Sequence, residues 1–417
     1  MESLNMQWGA QQEKALSRVA AWLKSPGDQQ VFRLFGYAGT GKTTLAKHFA
    51  EGISRVAFGA YTGKAALVLR QKGCMNAATL HSMIYLPSPK GEAEIAQMRE
   101  DLFTLKLNLS KEGLEENEIL THRRVKFLQE QILDENARLS QPRFTLNRNA
   151  DIKSCDLIIV DEVTMVDTRM GEDLCSFGVP ILVLGDPGQL PPVGGAGYFT
   201  KQKPDVLLTE IHRQAKDDPI LRLATQVRKK QPLTLGKYGR SEVISRAELK
   251  ERTSQVQDLE MILCGRNLTR RVTNQRLRDL AGIQGIYPTP GEQLVCLKNN
   301  AQLGLLNGGL WTVGSVDEHS DDLRRYMQVT SNDEPLTADV EALSMIFRGE
   351  DTSAVDYFTI ASAHWFDFGS CLTVHKSQGS QWDTGLVIDE SSCFRGSEAN
   401  HLYTALTRFC SQVIVAI

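Results

Sequence analysis

The chain has 417 residues, of which 41% are apolar and 23% charged, and its net charge is −3. A chain of that length supports roughly two to four domains with sizeable cores. It has no global basic field, so any nucleic-acid site has to be a local groove.

The eight cysteines (Cys74, Cys155, Cys175, Cys264, Cys296, Cys371, Cys393 and Cys410) are scattered and form no C-x-x-C pair. That argues against zinc and disulfide frameworks and for reduced thiols in a cytoplasmic setting, nucleoid-associated or in a host cell. The opening MESLNMQWGAQQEKAL is polar. No apolar run approaches the ~20 residues needed to span a bilayer, so no membrane partner is expected.

Short apolar runs recur along the chain, each followed by a helix-like stretch. The first half carries VFRLFG (31–36), RVAFGAYT (55–62), CDLIIVDE (155–162) and VPILVLGD (179–186). The second carries LEMILCG (259–265), EQLVCLKN (292–299), TGLVIDE (384–390) and SQVIVAI (411–417). Runs of this length, flanked by Gly or acidic residues, read as buried parallel strands, and two sets of them argue for two α/β layers in tandem. Residues 90–140, rich in Glu, Leu, Lys and Arg, break the pattern. Their spacing predicts two helices with a turn near Gly113 and with Val125, Leu128, Ile132 and Leu139 along one face. A further β-branched stretch near 311–360 has no clean period.

Residues 36–43, GYAGTGKT, match G-x-x-x-x-G-K-[ST] between the strand VFRLF and a helix. Gly36, Gly39 and Gly41 let the backbone wrap phosphate oxygens, and Thr40 and Thr44 complete the loop and the start of the helix. Lys42 would reach the β- and γ-phosphates, and the Thr43 hydroxyl would bind Mg²⁺. In LIIVDEVTMV, Asp161 would hold the same ion through water, and Glu162 would polarise the attacking water. Alone, a strand-end Asp-Glu is a weak signal, because acids often cap strands beside helices. With the loop it points to a nucleoside triphosphatase that takes ATP and Mg²⁺.

Further motifs follow in order: AYTGKAA (60–66), ATLHS (78–82), LGDPGQLPPV (184–193), LTEIHRQ (208–214), LTVHKSQGSQWD (372–383) and LYTALTR (402–408). In this order the sequence resembles the superfamily-1 helicases, with its nearest likeness to the RecD/Dda-like branch, from about Gln12 to the C-terminus. The resemblance implies an α/β fold of two tandem RecA-like P-loop domains with inserted accessory subdomains. On that basis the first motor domain is expected in 1–84 and 151–205, and the second in 206–310 and 365–417. The insertions would be a helical subdomain at 85–150 and a small β-barrel at 311–364.

Residue roles implied by the resemblance follow. Gln12 would read adenine, with the neighbouring Gln11 or a solvent-facing helix position as the competing assignments. Gln189 would sense the γ-phosphate, supported by Asp186. Arg213 and Arg408 would be arginine fingers stabilising charge in the transition state. Thr62, Gly63, Lys64, Thr79 and His81 would contact the strand from the first layer. Thr373, His375, Lys376, Ser377 and Gln378 would contact it from the second. Small hydroxyls and backbone amides suit phosphates, which carry no sequence information.

The implied activity is ATP-dependent DNA unwinding with translocation 5′ to 3′ on single-stranded DNA. The implied partners are single-stranded DNA, junctions of single- and double-stranded DNA, and replication or recombination proteins. Two departures stand out. Gln381 replaces an acidic residue after HKSQGS, and the 90–140 segment looks helical where relatives place a β-hairpin pin that splits the duplex. The second departure motivates an alternative, a translocase that strips proteins without robust unwinding. A non-catalytic binding subunit fits poorly with intact Lys42, Glu162, Arg213 and Arg408, and no acidic cluster supports a nuclease.

Overall fold

The structure, a computed structural model, describes residues 8–87, 92–140, 144–191, 197–210, 218–350 and 357–417. The strongest apolar runs build its first layer. Six parallel strands lie in the spatial order Ala78–Thr79, Val56–Ala60, Leu157–Asp161, Ile181–Gly185, Val31–Gly36 and Val206–Leu208. Ile181–Gly185 is buried along its whole length, as a central strand covered on both faces must be. One face packs on Ala15, Val19, Phe49 and Leu69, and the other on Ile84, Met170, Leu174 and Phe199. Strand Val206–Leu208 pairs with Val31–Gly36, so the first layer runs past the boundary expected at 205. Three residues are too few to show a period, and only the pairing assigns this strand.

The second layer orders its strands Cys371–Thr373, Met261–Cys264, Trp382–Ile388, Phe409–Ala416, Ser241–Ile244 and Gly236–Tyr238. The first five run parallel, and the last forms an antiparallel hairpin at the edge. Together the two layers are tandem RecA-like sheets.

The run at 292–299 was expected in this second layer, but the structure corrects that. Strand Gln293–Cys296 lies in an antiparallel sheet, between Leu310–Val316 and Phe366–Phe368. Strands Arg324–Ser331 and Thr337–Leu343 extend that sheet. Its far edge returns to the near one: His364 N–H donates to Glu341 O at 2.8 Å, and Leu343 N–H donates to His364 O at 3.2 Å. The result is a nearly closed small barrel around Trp311, Val329 and Phe366, and its strands span 293–368 rather than 311–364. A four-residue apolar strand reads the same in a parallel or an antiparallel sheet, so the sequence pattern could not separate the two.

Among the described residues, 92–140 is helical as expected, with three helices rather than two: Glu92–Lys111, Glu116–Thr121 and Arg123–Ser140. Gly113 takes a left-handed conformation (φ 91°) at the first turn, and His122 leaves the helical region (ψ 132°) at the second. Leu109, Ile119 and Val125 form its small core, joined by Leu102, Leu105 and Leu114. Ile132 is buried and Leu128 half-buried, while the side chain of Leu139 lies outside the described residues. An antiparallel pair, Tyr85–Pro87 with Phe144–Leu146, roots this bundle in the first layer. No helix among the described residues is long and apolar enough to cross a membrane.

Candidate nucleotide cleft and strand track

The loop between strand Val31–Gly36 and helix Lys42–Ala50 needs its glycines. Gly39 and Gly41 have φ of 76° and 79°. A Cβ on Gly36 would fall 2.6 Å from Thr40 Oγ1. Thr40 is buried and donates from its hydroxyl to Tyr37 O at 2.8 Å. Lys42 Nζ folds back onto the carbonyls of Gly36 (2.7 Å) and Tyr37 (3.1 Å). Thr43 Oγ1 donates to Asp161 Oδ2 at 3.1 Å.

Asp161 ends its strand half-buried. Burial, and then the charge of Glu162, push its carboxyl above the usual range. A hydroxyl beside a desolvated carboxylate next to a second acid is a donor set that suits a divalent cation, and Thr43 and Asp161 would hold Mg²⁺ there. Glu162 adopts φ +54°, rare for a non-glycine, and its N–H donates to Asp161 Oδ1 at 2.8 Å.

A cleft of about 560 Å³ opens at this point. Its wall includes Gly39, Gly41, Lys42, Thr43, Thr44, Asp161, Glu162, Asp186 and Gln189 from the first layer, and Gly379, Gln381, Thr407 and Arg408 from the second. Gln189 is 7% exposed and Arg408 4%, yet Gln189 Oε1 and Arg408 Nε have no hydrogen-bond partner. Buried polar atoms are normally paired, so two orphans on one cleft wall point to ligand groups that would complete them. Arg408 otherwise makes one long bond, Nη1 to Ser380 O at 3.3 Å. Arg213 lies outside the described residues, as do Pro192 and Val193 of GDPGQLPPV.

Gln12 is buried against the loop but is not part of the cleft wall. Its Nε2 donates to Thr40 O at 3.1 Å, and its Oε1 accepts Gly9 N–H at 3.0 Å. Gln11 instead turns outward to Thr209 and Glu210.

The expected strand contacts are split between the layers. Thr62 caps helix Gly63–Gln71 by accepting Ala65 N–H at 3.2 Å, and Thr79 caps Leu80–Ile84 by accepting Ser82 N–H at 3.2 Å. Gly63 sits under Leu306, whose Cδ2 would lie 3.0 Å from an added Cβ. Lys64 pairs with Asp333 of the barrel. His81 packs among Tyr61, Tyr85 and Phe144, and burial lowers its pKa.

In the second layer, Thr373 Oγ1 accepts Lys376 N–H at 3.4 Å. Ser377 and Gln378 are buried, donating to Val374 O (2.8 Å) and Leu190 O (3.4 Å). Burial lowers the pKa of His375 and of Lys376, and Lys376 Nζ reaches Asn307 Oδ1 at 2.9 Å. Gly379, with φ +82°, closes the layers together: a Cβ there would fall 2.9 Å from Thr62 Oγ1. The two sets of contacts therefore meet at Thr62 and Gly379.

Sequence reasoning missed several residues. Lys47, Lys72 and Cys74 line the cleft without belonging to any motif. Asn400, Tyr403 and Thr404 bond the Asp186–Leu190 loop, whereas the motif LYTALTR by itself points only to its arginine. Their spacing of three and four residues was the available signal. Asn274 is a structural pin, donating to Cys371 O at 3.0 Å and accepting Cys371 N–H at 2.9 Å.

Residues 7–249 match a family model described as an AAA domain, and residues 368–415 match a UvrD-like helicase C-terminal domain. The ATP-dependent RecD2 DNA helicase of Deinococcus radiodurans is 26% identical over 281 residues, 61% of this chain and 35% of that protein. The chain thus matches about a third of the length of that curated relative. Among solved structures, a Pif1 helicase from work on DNA unwinding at forked double-stranded DNA aligns with a TM-score of 0.54 at 17% identity, covering 99% of this chain and 92% of that one. Bacteroides Pif1 bound to single-stranded DNA aligns with a TM-score of 0.53 at 16% identity, covering 99% and 93%. At such identities the structures speak for the fold. The chain belongs to the AAA domain family.

Proposed function

We propose that the chain is an ATP-dependent DNA helicase that moves 5′ to 3′ on single-stranded DNA and couples hydrolysis to duplex unwinding. The observation that carries this is the cleft wall shared by the two layers. Lys42, Asp161 and Glu162 come from one, and Arg408, with its buried and unpaired Nε, comes from the other.

In this reading Lys42 leaves its loop carbonyls for the β- and γ-phosphates, and Thr43 and Asp161 would hold Mg²⁺, which would supply charge to neutralise phosphate oxygens. Glu162 orients water for attack on the γ-phosphorus, and Gln189 reports whether that phosphate is present. Arg408 supplies a guanidinium to the charge that develops, which also draws the layers together. Gln12 supports the loop from behind and, after a side-chain turn, reads the base. Arg213 is retained as a second finger on the strength of its motif. Thr62, Gly63, Lys64, Thr79 and His81 form one grip on the strand, and Thr373, His375, Lys376, Ser377 and Gln378 the other. Alternate tightening of the two grips moves the strand. The RecD2 relative, an ATP-dependent DNA helicase by name, and the Pif1 structures with single-stranded and forked DNA support the choice of substrate.

The test is unwinding of a partial duplex with a 5′ or a 3′ single-stranded tail, given ATP and Mg²⁺, with Lys42→Ala as control. Opening of the 5′-tailed substrate alone, lost in Lys42→Ala, is expected. Opening of the 3′-tailed substrate alone would refute the polarity. DNA-stimulated hydrolysis without opening of either would leave a translocase.

A further inference from the structure

The last helix, Glu398–Leu406, is where the two layers are tied together. Asn400, Tyr403 and Thr404 share one face of it at i, i+3 and i+4, and all three bond the Asp186–Leu190 loop of the first layer. Asn400 Nδ2 donates to the carbonyls of Gly188 (3.0 Å) and Gln189 (3.1 Å), and Thr404 Oγ1 accepts Leu190 N–H at 2.9 Å. Tyr403 bridges two loops: its hydroxyl donates to Asp186 Oδ2 at 2.8 Å and accepts the N–H of Ala38 at 2.8 Å. Ala38 belongs to the phosphate loop. The tyrosine ring lies over Gly188, where a Cβ would fall 2.8 Å from its Cε1. At 2% exposure, Tyr403 has little water to compete for its hydroxyl.

The same helix also reaches the strand track. His401 stacks on Phe394 with centroids 4.1 Å apart and planes at 13°, and Phe394 packs at 5.4 Å on His375 of TVHKSQGS. Both ring nitrogens of His401 are buried without a partner, so the ring is held by packing and not by hydrogen bonds. Beyond the helix, Thr407 and Arg408 lead straight onto the cleft wall.

We infer that Tyr403 is a positioning residue that transmits the state of the phosphate loop, through the last helix, to His375 in the strand track. The inference rests on the cleft being the nucleotide site. Backbone N–H groups of such a loop are anion donors, and here the Ala38 donor is committed to Tyr403. A nucleotide that reshapes the loop changes that bond, while its charge acts on Asp186 at the other end of the same hydroxyl. The hydroxyl cannot keep both bonds unless the loops stay in register. Loss of register strains a helix that packs through Leu402, Ala405 and Leu406 on the core of its own layer and that carries the Asn400 bond to Gln189 O on one side and the His401–Phe394–His375 stack on the other.

Tyr403→Phe keeps the ring over Gly188 and deletes both bonds. In the full chain, with thermal melting as a check on folding, ATP hydrolysis is measured with and without oligo-dT. Oligo-dT affinity is measured with and without a non-hydrolysable ATP analogue. The expected result is a KM for ATP within about twofold of the unmutated chain, but DNA stimulation of kcat reduced about tenfold and no effect of the analogue on oligo-dT affinity. Unmutated stimulation together with an intact analogue effect overturns the inference. So does an equal loss of basal and stimulated turnover, the mark of a merely structural role. Phe394→Leu probes the far end of the path without touching the cleft and is expected to lose stimulation at unchanged KM; full stimulation in that variant removes the path through this helix. If the unmutated chain shows no DNA stimulation at all, the reading of the cleft fails, and this inference with it.

Discussion

Glu162 and His401 show how single residues bear the cost of a site. Glu162 holds φ +54° beside the half-buried carboxylate of Asp161, a backbone state that costs on the order of 1 kcal/mol and persists because its N–H is fixed on that carboxylate. His401 is buried with neither nitrogen bonded, and burial first, then the neighbouring His375, lowers its pKa from 6.5 to about 4. The folded state therefore refuses a proton that the unfolded chain accepts below pH 6.5. Its contribution to stability is intact at neutral pH and is lost as pH falls from 6.5 toward 4, by at most roughly 3 kcal/mol. Urea midpoints at several pH values should show this decline, and His401→Phe should flatten it; an equally steep decline in the variant would place the titration elsewhere.

At the scale of elements, the barrel and the helix Gly63–Gln71 hold each other. Asp333, in the turn between strands Arg324–Ser331 and Thr337–Leu343, takes Lys64, and its carbonyl accepts from Gln71 Nε2 at 3.3 Å. The Lys64 and Asp333 side chains are 12% and 19% exposed, so the pair is only partly screened by solvent. If Lys64 grips DNA phosphate, Asp333 competes for it as an internal anion. Asp333→Asn is then expected to tighten oligo-dT binding about three- to tenfold at low salt, with the gain fading as salt rises. Unchanged affinity at every salt concentration would remove Lys64 from the track. The helical bundle offers a second contrast of elements. Its inward residues Leu109, Ile119 and Val125 are buried, whereas Phe103 and Phe127 stand 68% and 58% exposed.

Across the whole molecule, the proposed function requires a close approach of the two layers. Gly379 has φ +82°, and an added Cβ would meet Thr62 Oγ1 at 2.9 Å and Ala65 Cβ at 3.1 Å. Gly379→Ala is therefore strained by about 1 kcal/mol locally and also wedges the layers apart beside Gln381 and Arg408. Hydrolysis at saturating ATP and single-stranded DNA should fall about tenfold or more, since small misplacements of a reacting group are expensive. Unmutated turnover would mean that hydrolysis does not require this approach.

The sequence alone determined the local chemistry. GYAGTGKT required a phosphate-type loop, because only glycines tolerate its left-handed turns. The apolar runs ending in DE and GD required buried strands that deliver acids to one edge. The 3.6-residue pattern at 90–140 required helices, since patterning and propensity act over a few residues. Tertiary structure decided what those segments meet. It assigned Val206–Leu208 to the first layer and Gln293–Cys296 to the barrel, because pairing partners lie far along the chain and short strands carry no mark of them. It placed Lys42, Asp161, Glu162, Gln189 and Arg408 on one wall, occupied Lys64 with Asp333, and made Tyr403 the bond between two loops. Those contacts join residues up to 365 positions apart, a distance over which local patterning has no reach.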